Sequence, residues 1–579
     1  MAAALPFISE RDRDYRKRCD GMLMGMRVNR YSWWTHWREI ADYLLPRRYR
    51  WLITPNMQSR GSPINQHILD STGTLAARNL AAGLMSGVSS PTRRWFDLRV
   101  GTIDTTQTSP ISLWLAEVHR LMTMVFAGSN FYSSMAILYL DLVVFGTAVM
   151  LIYEDHDEMI RCHNPCLGEY YLTNGPTNRP ETFGREFTYT IQQLVEEFGR
   201  ENCPPDIVAL FDQADGSGKT KEVVVAHLIE PNKDPAKWGF PSHFKWREAY
   251  WIWQSTSPQG GVSPQQGFLR KKGYHECPFI AVRWDLVSND PYGRSPGMDA
   301  LPDIKQLQLE TRRKAQAIDK MVNPPMVADI QLKNQPASLL PGGVTYVSGM
   351  TTGKVGFASA YTVDPKLREM MEDLNEVKER IKTIFYNNLF QMISQFEPKS
   401  NITAVEIDAR RSEQMIMLSP VLERLNEEGL KKIIDRTYGI VERAGILPEA
   451  PPEIAGAEIN VDFISMLEQA QDASAAAGIE RVFGMVGNLV GVTGPDVMDN
   501  VDVDYGIQKY SSLLNNDPKL IRAPQQLEVI RQKRAQEAQM AQQQQAVDQA
   551  EQLAKGAKTL SETPTGAGSN ALEQMIGVG

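Results

Sequence analysis

Apolar positions along the chain change their spacing several times, and each change marks an element. Residues 11–45 carry apolar side chains at helical spacing among charged ones, with Trp33, Trp34 and Trp37 clustered, and Pro46 stops the pattern before a basic RRYR. Tryptophans this close together suit a core or subunit contact better than a ligand box. Ala, Gly and Leu dominate about 67–88, a second helix against which another element can pack closely, and RRWFDLRV (93–100) then reads as a strand. The run MAILYLDLVVFGTAVMLIY (135–153) approaches membrane-spanning length. Asp141 and the Gly146-Thr147 break inside it favour a buried helix running into a buried strand. From 150 to 290 short β-prone runs, among them VMLIYED, EVVVAHLIE, AYWIWQS and PFIAVRWDL, alternate with Gly, Pro and Asn turns.

After residue 295 helices dominate. Ile304, Leu307, Thr311, Ala315, Ile318 and Val322 recur at spacings of three and four, which predicts a helix over 296–322, kinked at Pro302 and ended by Asn323-Pro324-Pro325. Residues 326–363 return to short strands and glycine turns. Asp364 and Pro365 supply a cap and first position for a helix to about 394, with Leu367, Met370, Leu374, Val377, Ile381 and Phe385 on its apolar face. The polar stretch SQFEPKSN (394–401) separates it from a helix that starts with a capping box, Thr403 and Glu406, and a hydrophobic staple, Ile402 and Ile407. That helix runs to about 444, bent or broken at Pro420 and closed by Gly445 and Pro448. A Gln- and Ala-rich segment, 525–556, is strongly helix-prone, and TPTGAGSN follows as a loose tail. The fold class is α+β.

At 579 residues the chain exceeds one compact core, so several domains or one elongated multi-part subunit are expected. Its 61 basic and 69 acidic side chains give a formal charge of −8, which argues against gripping nucleic acid by bulk electrostatics and leaves sliding contact open. Five scattered cysteines (19, 162, 166, 203 and 277) fit a reduced intracellular protein without disulfides. The opening MAAALPFISERDRDYRKR lacks the basic region and apolar run of a secretion signal, so a cytoplasmic protein with no membrane partner is expected.

No catalytic constellation survives inspection. Gly293-Arg294-Ser295-Pro296-Gly297 fits the G-x-S-x-G spacing of a hydrolase nucleophile elbow, but Pro296 has no N–H for an oxyanion hole, and all eight histidines precede Ser295. A helix cap at Ser295 with Pro296 in the first position fits better. DGSGKT (215–220) ends like a phosphate-binding loop, yet Gln213 stands where the first glycine belongs, and a strand pattern follows where a helix is required; a surface hairpin turn is expected. GMTTGKV (349–355) is one residue short, with Val355 in place of the hydroxyl. His156, Cys162, His163 and Cys166 are metal-capable but loosely spaced and without a second pair, so a buried thiol pair with ordinary histidines is expected. No cofactor, no metal and no enzymatic activity are expected.

The order of elements, and the wording of their joints, carries more. The segments LAAGLMSGVSSPTRRWFDL (80–98), FGTAVMLIYED (145–155), NPCLGEYYL (164–172), PYGRSPGMDALPDIKQLQ (291–308), NPPMVA (323–328) and NITAVEIDARRSEQMIMLSPVLERLNEEGL (401–430) occur in the order found in portal, or head-to-tail connector, proteins of short-tailed bacteriophages, which this chain resembles. The resemblance implies a homo-oligomeric ring, usually of twelve subunits, at one capsid vertex. It implies an α/β wing over 1–290, stem helices over 291–322 and 365–394 around a channel, and a clip over 323–364. It further implies a tunnel loop over 395–402, a long helix and crown over 403–520, and a C-terminal helical barrel with a flexible tail over 521–579.

On this resemblance the chain is a passive conduit for double-stranded DNA in packaging and ejection, located in the virion after assembly in the host cytoplasm. The terminase large subunit, and later adaptor and tail proteins, would dock on the clip, for which Gln331, Lys333 and Asn334 are candidates. Major capsid and scaffold proteins would meet the wing. Gln395, Lys399, Ser400 and Asn401 are the candidate DNA-channel contacts, Lys399 being the only basic residue of its loop. Ser295, Pro296, Asp364, Thr403 and Glu406 are structural caps. A ring of twelve chains carries roughly −96 formal charges, so DNA should meet few strong phosphate clamps and slide. Two other classes fit less well: a packaging ATPase, which lacks its phosphate loop here, and another structural capsid or scaffold protein with no DNA channel, which leaves the β-rich first half and the clip unexplained.

Overall fold

The structure, a computed structural model, describes residues 9–49, 67–100, 110–254, 267–322, 326–328, 357–359, 366–387, 418–452, 459–463, 466–493, 501–513, 520, 522 and 524–561. It divides into two compact units, the first built from 1–97, 120–447 and 461–468, the second from 98–119, 448–460 and 469–579.

In the first unit helix α1 (Glu10–Leu44) begins at Ser9, whose hydroxyl accepts the Asp12 N–H. Its inner face, Tyr15, Cys19, Leu23 and Met26, packs on one side of a five-stranded antiparallel sheet. Helix α2 (Thr72–Val88) starts later than the composition suggested, after Asp70 and Ser71. Strand β1 (Phe96–Val100) follows. Helix α3 (Phe131–Phe145) ends at Gly146, in the left-handed region at φ +75°, and gives way at once to β2 (Thr147–Asp155), nearly all of it buried. Asp141, the polar interruption of that apolar run, is buried against Arg48, Nε to Oδ1 2.9 Å. No single described helix is long and apolar enough to cross a membrane.

Strand β2 lies between β3 (Met159–His163) and β9 (Phe279–Arg283) in a three-stranded antiparallel sheet. The five-stranded sheet runs in the order β4 (Tyr170–Asn174), β5 (Pro180–Thr190), β6 (Glu222–Pro231), β7 (Trp246–Gln254) and β8 (Arg270–Tyr274). Alternation along these strands sends Ala226, Leu228 and Trp251 toward α1, and sends Val225 and Ile252 to the opposite face, under Ile191, Leu194 and Phe198 of a short helix. The DGSGKT stretch is not a hairpin turn. Ser217–Thr220 forms a 3₁₀ turn entered through Gly216 at φ +70°, and Lys219 Nζ lies 4.9 Å from the centre of the Phe211 ring.

The helix expected over 296–322 is two helices. A single turn, Pro296–Asp299, is followed at Ala300 by α4 (Leu301–Val322), so the break precedes Pro302, which sits in the first turn of α4 where its missing N–H costs little. Helix α5 (Leu367–Ile384) is shorter than expected: Lys366 is its cap residue, without a side-chain cap bond, and Tyr386 at φ +53° follows its end. In the returning helix, residues 418–425 are helical through Pro420, and the irregularity is a π turn at Asn426–Leu430, ahead of α6 (Lys431–Arg443). Gly445, at φ +70°, closes it.

The second unit contains most of helix Met466–Thr493, helix Val503–Leu513 and the 38-residue α7 (Pro524–Ser561), about 57 Å long. Arg531 of α7 pairs with Asp504 at 2.7 Å, and the rest of α7 exposes Met540, Val547 and Leu553.

Candidate functional site

The sequence singled out the joint at 289–308, and the structure shows why it is built of glycine, serine and proline. Beyond β9, Asp285 and Arg294 pair their backbones, closing the intervening loop. That loop returns the chain against the α3–β2 turn, where the Gly293 N–H donates to Thr147 Oγ1 at 2.8 Å. A Cβ on Gly146 would lie 2.4 Å from Gly293 O, and one on Gly297 would lie 2.6 Å from Val144 O, so two backbones cross where only glycine fits. Ser295 is 1% exposed; its hydroxyl donates to Val144 O at 2.7 Å and accepts the Met298 N–H at 3.1 Å. Both hydrogen-bonding roles are used, which leaves a cap and no nucleophile.

From this joint α4 and α5 project as an antiparallel hairpin. Leu374, Val377, Ile381 and Phe385 bury one face of α5 against α4 and α2, and Arg380 reaches Asp303 and Gln306 across the pair, each at 3.3 Å. The base is clamped. Gln308 Oε1 accepts from Leu69 and Asp70 N–H at 2.7 and 2.9 Å while its Nε2 donates to Asp70 O at 2.8 Å. Asp70 also meets Lys378 Nζ at 2.7 Å. Partial burial would raise the Asp70 carboxyl, but hydrogen bonds from Lys378 and Thr72 outweigh it and hold it below its ordinary value. Ile304 sits over Gly73, where an added Cβ would be 3.0 Å away. Beyond Arg312 the hairpin is exposed: Ile318, Met321, Val322 and Met371 are 41%, 47%, 72% and 50% accessible. At its far end Met326–Ala328 and Phe357–Ser359 pair as a two-stranded ribbon, Met326 opposite Ser359.

A second anchorage holds the returning helix on the three-stranded sheet. Buried Arg283 pairs with buried Glu428 of the π turn, Nε to Oε2 3.2 Å, and donates to Asn178 O at 2.8 Å. Buried Arg436 reaches Glu276 at 2.8 Å, and Arg443 reaches Glu276 and Glu154 at 2.6 and 2.9 Å. Burial would raise both carboxyls, but the two arginines hold them below their ordinary value. Sequence reasoning missed this clamp, whose partners lie about 150 to 290 positions apart with no local signal.

The clip candidates Gln331, Lys333 and Asn334, the channel candidates Gln395, Lys399, Ser400 and Asn401, and the caps Asp364, Thr403 and Glu406 lie outside the described residues. GMTTGKV lies there too. The metal-capable quartet does not converge. His156 occupies the β2–β3 turn, His163 pairs with Leu151 at the other end of that hairpin, and Cys162, on the opposite strand face from His163, is buried, its thiol pushed up to about 12 by burial.

Comparison with known proteins completes the picture. A family model described as "Bacteriophage head to tail connecting protein" matches residues 16–521. A "Probable portal protein" of Bordetella phage BPP-1 is 39% identical over 536 residues, 92% of each chain. A "Portal protein" of Salmonella phage epsilon15 is 37% identical over 545 residues, 94% of this chain and 95% of that one. Among solved structures, a chain from the virion of a native gene transfer agent particle superposes with a TM-score of 0.34 at 11% identity, covering 72% of this chain and 86% of that one; the likeness is too slight to carry an argument.

Proposed function

The chain belongs to the bacteriophage head to tail connecting protein family, and on that footing we propose that it is a portal subunit, assembled as a ring at one capsid vertex. The observation that carries the reading is identity of 37–39% to two portal proteins over more than nine-tenths of the chain. The ring, of about twelve copies by the family resemblance, surrounds a channel for double-stranded DNA in packaging and ejection. Residues 1–290 form the wing, α4 and α5 the stem, 323–364 the clip that receives the terminase large subunit and later adaptor and tail proteins, and 395–402 the tunnel loop. Residues 403–520 form the long helix and crown, and 521–579 the C-terminal barrel.

The anchorages support this assignment. The hairpin is held to the segment that opens α2 by Gln308 and Lys378 on Asp70, and the returning helix is held to the three-stranded sheet by Arg283, Arg436 and Arg443. The chain itself turns over no ATP, its charge of −8 lets DNA slide, and Lys399 touches passing phosphates transiently.

Negative-stain microscopy of the purified chain tests the reading: rings with a central hole are expected, and monomers or closed shells overturn it. In a packaging reaction Lys399→Glu should leave ring yield unchanged and shorten the packaged or retained DNA; normal packaging removes the DNA-contact role of Lys399.

A further inference from the structure

The outer faces of the hairpin carry opposite charge at the same height. At about 100° per residue, Leu309, Arg313, Gln316 and Lys320 form one stripe of α4, with Arg312 beside it, facing away from the buried Ile304 and Leu307. Arg312 and Arg313 are exposed and make no ion pair among the described residues. On α5 the positions i, i+3, i+7 and i+10 are Glu369, Glu372, Glu376 and Glu379, opposite the buried Leu374, Val377 and Ile381. These four carboxylates are between 62% and 71% exposed. Among the described residues their ion pairs are with neighbours Lys366, Arg368, Arg380 and Lys382, contacts weak enough to exchange.

The register of the hairpin fixes their heights. Because the helices are antiparallel and Arg380 stands beside Asp303 and Gln306, Arg312 and Arg313 are level with Glu372, one turn from Glu369 and Glu376. In a closed ring every copy sits at one height, and each contact is heterologous, one face of a subunit on a different face of the next. We infer that adjacent copies join through their hairpins, Arg312 and Arg313 of one copy seating on the Glu369, Glu372 and Glu376 stripe of its neighbour. This rests on the ring reading above. The charges set the direction and height of that contact.

Two full-length variants test it: Arg312→Glu with Arg313→Glu, and Glu369→Lys with Glu372→Lys and Glu376→Lys. Each alone places like charges across every contact, so the concentration needed for rings, read by light scattering on a sizing column, should rise about tenfold or more, and added salt should lower it again. Mixed in equal amounts, the two restore opposite charges at every contact if they alternate, and rings should return containing both chains in equal number by native mass spectrometry. Thermal melting of each variant, expected within a few degrees of wild type, separates lost assembly from lost folding. The neutral pair Arg312→Gln with Arg313→Gln covers the case in which a reversal variant does not fold, and should weaken assembly about threefold. Wild-type assembly in the variants, or no gain on mixing, overturns the hairpin contact and leaves the portal reading standing. A wild-type chain that forms no ring overturns both.

Discussion

The five-stranded sheet and the α4–α5 hairpin use charged residues in opposite ways. In the sheet, fully buried Glu248 takes His227 Nε2 at 2.7 Å and the Tyr274 hydroxyl at 2.8 Å, and Arg185 Nε donates to His227 Nδ1 at 3.0 Å. These buried groups find their partners within one subunit. The hairpin keeps Arg312, Arg313 and the α5 glutamates in solvent beside exposed Ile318, Met321 and Val322. Buried, matched polar groups mark a region that folds by itself, and exposed, weakly held ones mark surfaces addressed to another molecule.

The strongest way to break this contrast is Glu248→Ala, which strands His227 and Tyr274 in the core. It should cost about 3–5 kcal/mol in denaturant unfolding; a loss below about 1 kcal/mol would mean that the network does not hold the sheet.

Acid probes the same network without mutation. Burial pushes His227 down to about 4 from its ordinary 6.5, against the pull of Glu248. The unfolded chain therefore takes up a proton near pH 6.5 that the folded chain resists until about pH 4. Stability is complete above pH 6.5, falls as pH drops through that window and levels off below it, for about 3 kcal/mol in all. Glu248 adds loss in the same direction: burial would raise its carboxyl, but His227 and Tyr274 outweigh burial and hold it below 4.5. Unfolding free energies measured from pH 7 to 4 should show the slope, and His227→Gln should reduce it.

Ser295→Ala is smaller, because it removes one cap and one buried hydrogen bond where α4 begins, about 1–2 kcal/mol of stability. No measurable loss would mean that the crossing glycines and Pro296 hold the joint alone. Least affected should be the hairpin tip. Met321→Ser with Val322→Ser should change unfolding of the single subunit by less than about 0.5 kcal/mol; a large loss in the isolated subunit would show the tip to be packed internally.

Much of this architecture was legible because its causes are local. The apolar run at 135–153 is a helix and a strand split at Gly146, Ser295 and Pro296 open a helix, and the Gln-rich segment is helical over Pro524–Ser561. Each follows from spacing, a capping hydroxyl or a breaker within a few residues. The misses share the opposite cause. The break at Ala300, the end of α5 at Ile384 and the π turn at Asn426–Leu430 occur where apolar periodicity continues unchanged. Ala300 lies in the joint held by Ser295 on Val144, and the π turn carries the carboxylate that Arg283 binds.

By itself, then, the sequence determined the elements, the caps and the opposite charge of the two hairpin helices, because side-chain spacing and type act within one or two turns. Only the tertiary structure decided that Val144 meets Gly297 and Ser295, that His227 and Glu248 hydrogen-bond across neighbouring strands, and that Arg312 stands level with Glu372. Each of these depends on bringing together chain segments between 21 and 153 positions apart. The closing of such loops is driven by burial of the whole apolar surface, and no local pattern records which distant partner that burial delivers.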